Sequence, residues 1–164
     1  MKMLFIPVIL CATLVVTSCD KNEGNAECEN YNEIIFGHFY GECAGEGCVE
    51  MFRIETNLST LTEDVNDYYP NGNTFYDGNF LTEHPDSKYE AVKDLMDYFP
   101  DELLAETETV LGQPDAGDWG GIYFEMKTND VHRYWLLDQW EGHMAPAYDT
   151  FVDKINEKIA LINQ

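Results

Sequence analysis

"GIYFEMKTNDVHRYWLLD", residues 121–138, decides the fold class. Ile122, Phe124 and Met126 fall on one side of the first half, and Val131, Arg133, Trp135 and Leu137 share one side of the second. Side chains alternate across an extended chain, so each half reads as a strand with one apolar face. The short polar link "TND" between them predicts an antiparallel hairpin.

Working outward from this hairpin, both flanks turn helical. After Pro146, the residues Tyr148, Phe151, Val152, Ile155, Ile159 and Ile162 recur at helical spacing to the end of the chain. Upstream, Pro85-Asp86-Ser87 marks a helix start with Ser87 as its cap. Tyr89, Val92, Leu95, Met96 and Phe99 form the stripe that follows. Pro100 interrupts it, and "PDELLAE" (100–106) restarts a short helix with acids in its first turn. Gly112 and Pro114 close that region.

Further upstream the period returns to two. In "CVEMFRIET" (48–56), Val49, Met51 and Arg53 oppose Glu50, Phe52 and Ile54. "TLTEDVND" (60–67) is a second strand with Leu61 and Val65 on one side. The turn signals Asn71-Gly72 and Asp77-Gly78 bracket a short Thr-Phe-Tyr strand, and another runs through Phe80 and Leu81. Strands, helix, hairpin, helix: the order predicts an α+β fold, an antiparallel sheet with helices packed on one face.

The N-terminus is of another kind. Lys2 precedes an uncharged apolar run of 13 residues, Leu4 to Val16. That is short for a bilayer span and right for a secretory signal. The run ends Val16-Thr17-Ser18-Cys19, which resembles the lipobox of bacterial lipoproteins. The resemblance implies a signal peptide over 1–18, removed from a mature protein that begins at a diacylated Cys19. Two or three acyl chains anchor stably where one does so only marginally. The polar stretch 19–32 reads as lipidated cysteine and acidic tether, and 33–164 as one globular domain.

Charge excludes several functions. The chain has net charge −22; loss of Lys2 with the leader leaves 8 basic residues against 31 acidic, a net −23. Such a surface repels nucleic acid, whose binding rests on neutralising phosphates. It also repels an anionic lipid face, so the membrane link is the lipid alone. It suits divalent cations or a basic partner.

Three cysteines remain beyond Cys19: Cys28, Cys43 and Cys48. Outside the cytoplasm a disulfide is the default, and Cys43–Cys48, with Gly45 and Gly47 to turn the chain, is the expected pair. Closing so short a loop contributes roughly 2 kcal/mol. Pairings of Cys28 with either partner stay open. The alternative is zinc held by Cys28, His38, Cys43 and Cys48, although their spacing matches no familiar finger. Thiol redox chemistry is disfavoured, since Glu42, Glu46 and Glu50 oppose a thiolate and a strand follows rather than a helix.

"GQPDAGDWGGIYFEM" (112–126) offers Asp115 and Asp118 as calcium-type oxygens, against a plain acidic turn with Trp119 packed on the hairpin. Only Ser59 and Ser87 remain as serines beyond the leader, with no nucleophile elbow. His84, His132 and His143 lack H-E-x-x-H spacing and read as structural or solvent-facing. Tyr68, Tyr69, Phe75 and Tyr76 are either a partner or sugar platform or a cover for a sheet end.

"FGHFYGECAGEGCVEMFRIE", "PDAGDWGGIYFEM" and "PAYDTFVDKINEKI" together are similar to a set of uncharacterised bacterial envelope lipoproteins. These share a glycine-cysteine segment before a strand, a PDA-x-D-x-GG turn and a terminal helix. The resemblance implies a one-domain protein of the cell envelope, lipid-anchored at the outer membrane and facing periplasm or cell surface. It implies no reaction. The expected function is therefore ligand or partner binding without a cofactor, the alternative being a zinc- or calcium-dependent envelope protein or enzyme.

Overall fold

A computed structural model describes residues 31–164. The expected signal peptide, Cys19, Cys28 and nearly all of the expected tether (19–32) lie outside the described residues. The fold is α+β: a seven-stranded, mostly antiparallel sheet with three helices. Its strands are β1 (Glu33–Phe39), β2 (Val49–Glu55), β3 (Thr60–Asp64), β4 (Phe80–Glu83), β5 (Val110–Leu111), β6 (Gly121–Lys127) and β7 (His132–Asp138). They lie in the order β4-β3-β2-β1-β6-β7-β5, and only β5 beside β7 is parallel.

The 121–138 hairpin forms as its alternation predicts. Phe124 sits opposite Trp135 and Ile122 opposite Leu137. Their shared face, with Ile34, Phe36, Phe52, Ile54 and Leu61, meets the helices α1 (Asp86–Val92), α2 (Glu102–Ala105) and α3 (Pro146–Ile162). Here Phe99 and Phe151 pack on Phe124, with ring centroids 5.6 and 4.9 Å away. All six predicted stripe residues of α3 are buried, because the 3.6-residue period keeps one side of the helix on the sheet.

Lysine and arginine hold the helix ends. Lys88 donates to the Ile162 carbonyl, and buried Lys158 donates to Ala91 O (3.0 Å) and Asp94 Oδ1 (2.6 Å). Arg133 donates to the carbonyls of Leu104 and Glu106. The last carbonyls of a helix lack partners within it, so cations there satisfy both hydrogen bonding and the helix dipole.

Four local expectations need correction. The Ser87 side chain makes no cap bond; Pro85 holds that position. The helix does not run on to Phe99 but stops at Val92, and a 3-10 turn over Leu95–Tyr98 carries the stripe onward. β3 ends at Asp64, leaving Val65 exposed. The Thr-Phe-Tyr segment (74–76) is not a strand. It belongs to a strap, residues 65–79, laid over the second face of the sheet.

That second face carries Ile35, Phe39, Met51, Tyr123, Tyr134 and Leu136, with Tyr76 packed against them. Two buried carboxylates fasten the strap. Asp64 accepts from the Asp67 amide (2.9 Å), the Tyr76 hydroxyl (2.8 Å) and the Asn79 amide. Glu125 accepts from the Tyr123 hydroxyl, the Tyr76 amide and the His132 ring at 2.7 Å. Phe75 stacks on His132 with centroids 3.8 Å apart. Phe75 and Tyr76 therefore cover the sheet, and the tyrosine ionisations answer to it. Burial, the bond to Asp64 and that carboxylate's charge push Tyr76 up; burial, the charge of Glu125 and the bond to it push Tyr123 up.

Candidate functional site: an aromatic and acidic pole

The sheet has two poles. At the near pole the chain enters β1, β2 turns into β3, and β6 turns into β7. At the far pole lie the β1–β2 loop, the turn before β6 and the exit from β7. Three stretches thus converge there: 40–48 and 112–120, both singled out in the sequence, and 138–145, which was not.

The first is closed by the Cys43–Cys48 disulfide, with Cα atoms 5.6 Å apart. Tyr40 N donates to Cys48 O at 2.8 Å, so the bridge seals a loop already pinched by the backbone. His38 Nε2 lies 3.2 Å from the Gly47 carbonyl oxygen and 3.4 Å from Glu50 Oε2. Bridged sulfurs offer no thiolate, so in this state Cys43 and Cys48 cannot serve zinc. Alkylation of the protein without reduction should leave Cys43 and Cys48 unlabelled. Label on Cys43 or Cys48, read by peptide mass spectrometry, would contradict the bridge.

The second stretch is organised by Asp115. Its Oδ2 accepts from Gly41 N (2.6 Å) and the Tyr69 hydroxyl (2.9 Å), and its Oδ1 accepts from Gly120 N (3.0 Å). One carboxylate thus joins the cysteine loop, the strap and its own turn. Partial burial and the Asp115 bond push the Tyr69 hydroxyl up to about 12. Asp118, exposed, takes positive φ as Asp115 does, a conformation aspartate tolerates in tight turns. Among the described residues no group of three or more His, Cys, Asp or Glu side chains is placed to hold a metal ion.

The third stretch centres on Asp138, buried at the end of β7. It accepts four hydrogen bonds. Oδ1 takes Trp119 Nε1 (2.9 Å) and Trp140 N (2.8 Å); Oδ2 takes Gln113 N (2.7 Å) and His143 Nδ1 (2.8 Å). Burial alone pushes this carboxyl up; the Trp140 and Gln113 amides, the His143 ring and the Trp119 indole outweigh it and hold its pKa below the ordinary aspartate range. Around this anchor Trp119 and Trp140 lie 5.0 Å apart and tilted, and His143 stands 6.0 Å from each. Trp140 is 53% exposed.

Sequence reading singled out the Asp115 turn and expected Trp119 to pack on the hairpin; the ring instead stands beside Trp140 and His143, just past the end of β7, with its indole N–H on Asp138. It missed Asp138 as the anchor and placed neither Trp140 nor His143 in a site. The available signal was Trp140 itself, a large aromatic in a polar loop just past a strand. Neither serine of the described residues belongs to the far pole. Ser59 lies in the β2–β3 turn at the near pole, and Ser87 lies in α1. An open cleft of about 400 Å³ at the near pole is lined by Asn32, Glu33, Glu55, Asn57, Leu58 and Lys127. It sits where the chain arrives, beside the start of β1. Comparison with protein-family models, with curated proteins and with solved structures gives no match.

Proposed function

We propose that this is a lipid-anchored protein of the bacterial cell envelope whose domain binds a ligand or partner at the far pole. The observation that carries the reading is the polarity of the sheet. β1 begins at Glu33, directly after the tether, and runs away from it to the loops that hold Trp119, Trp140 and the disulfide. The far pole is thus the end of the domain opposite the one where the described chain begins. The motif Val16-Thr17-Ser18-Cys19 supports the anchor. The acidic surface supports attachment through lipid rather than through charge.

Labelling with radioactive palmitate, followed by membrane fractionation, tests the anchor. The wild-type chain is expected to carry label and sediment with membranes. Cys19→Ala is expected to carry none. A labelled Cys19→Ala chain, or an unlabelled wild type, would refute lipidation at this residue.

A further inference from the structure

We propose that the Trp119–Trp140–His143 cluster is a docking surface for a basic segment of a partner protein, whose lysine or arginine side chains lie on the exposed face of Trp140. The inference deepens the binding role proposed above and rests on it. Two observations point to a cation. The first is the aromatic surface. Trp140 is half exposed; its backbone amide is fixed on Asp138, and its ring packs beside Trp119 and His143. An exposed indole face attracts cations through its quadrupole, and indole does so more strongly than the other aromatic rings.

The second is charge complementarity. The three loops 40–48, 112–120 and 138–145 carry six acids and no lysine or arginine. Glu42, Asp118 and Glu141 among them are exposed. The basic residues of the described chain are committed elsewhere. Lys88, Lys158 and Arg133 hold helix ends, Lys93 and Lys154 pair with Glu90 and Glu157 on the helical layer, and Arg53 pairs with Glu55 on β2. Lys127 lies at the near pole. A cation approaching the far pole meets exposed acids and no lysine or arginine of the described residues, whereas an anionic ligand is repelled. A neutral sugar could stack on the indole but would gain nothing from the acids.

The test is calorimetric titration of the full mature lipoprotein, in a non-ionic detergent at low salt, with three probes: an alternating Lys/Arg decapeptide, a polyglutamate decapeptide and a neutral oligosaccharide. The basic peptide is expected to bind saturably and the other two not to bind. Trp140→Ala should weaken the basic peptide about five- to tenfold and Trp140→Phe less. Asp97→Asn with Glu102→Gln, on the helical layer, should change it less than twofold. Because the Trp140 ring is half exposed, these variants should melt as the wild type does. Equal binding by Trp140→Ala and wild type would overturn the proposal. So would equal weakening by the helical-layer variant, which would mean diffuse charge attraction. If only the oligosaccharide binds, and does so through Trp140, the partner class is wrong while the binding role stands. If no probe binds, both fail.

Discussion

Replacing Asp138 with alanine is expected to cost roughly 3–5 kcal/mol of stability, because it strands several donors at once. In the folded protein this carboxylate receives the Gln113 and Trp140 amides, the Trp119 indole and the His143 ring. A buried donor without an acceptor costs about 1–3 kcal/mol, and bonds to an ionised group lie at the strong end of the range. Asp138→Asn should lose about half as much, since one amide oxygen replaces two carboxylate oxygens and its NH2 group faces further donors. Urea unfolding reads both. A loss below about 1 kcal/mol for the alanine variant would mean that water replaces the carboxylate. The variant should also loosen Trp119 and Trp140, visible as a red shift of tryptophan emission, while Trp135 stays buried under α3.

The same carboxylate makes an acid prediction whose sign is fixed. Its pKa is lower folded than unfolded, so its contribution is complete above the unfolded value, near 3.8, and is lost as pH falls through the folded one. The stability gap between wild type and Asp138→Asn should therefore close on acidification below that point. Comparing the two proteins matters, because a chain with net charge −22 also sheds self-repulsion as it acidifies. A gap that widens in acid would reverse the assignment.

How much of this was legible in the sequence depends on range. The hairpin and α3 are local patterns with one buried face each, and both were readable from their periods. β1 was not, although it is the centre of the sheet, flanked by β2 and β6. Its run Ile34-Ile35-Phe36 is buried on both faces, so it shows no alternation to detect. The strap misled for a different reason. Asn71-Gly72 and Asp77-Gly78 look like hairpin turns, yet the residues between them bond to Asp64, Glu125 and Tyr123 rather than to a neighbouring strand. The disulfide was readable because its partners are five residues apart. The far pole was not, because bringing 40–48, 112–120 and 138–145 together requires the strand order, and Asp138 meets its partners only once that order exists.

Gly37→Ala should be among the most damaging single substitutions, and the reason lies in the same unread strand. Gly37 is in the middle of β1, opposite Met51 on one side and Tyr123 on the other. A Cβ at this position would stand 1.9 Å from the Glu50 carbonyl oxygen and 2.7 Å from the Met51 sulfur. The sulfur can rotate away, but the carbonyl belongs to the paired strand and moves only if β1 and β2 separate. Overpacking in a well-packed core costs typically 1–3 kcal/mol, and a backbone clash on the central strand belongs at the top of that range, about 3 kcal/mol. The damage should be local to the β1–β2 pair, so amide exchange should accelerate first in Met51 and Phe52, ahead of the 121–138 hairpin. Gly47→Ala is the matched control: nothing lies within 4 Å of the added methyl, and its effect should stay within about 0.5 kcal/mol. Equal stability of the two variants would mean that β1 and β2 lie further apart at Gly37 than these contacts require. The glycine would then be incidental to the approach of the strands that carry the disulfide loop.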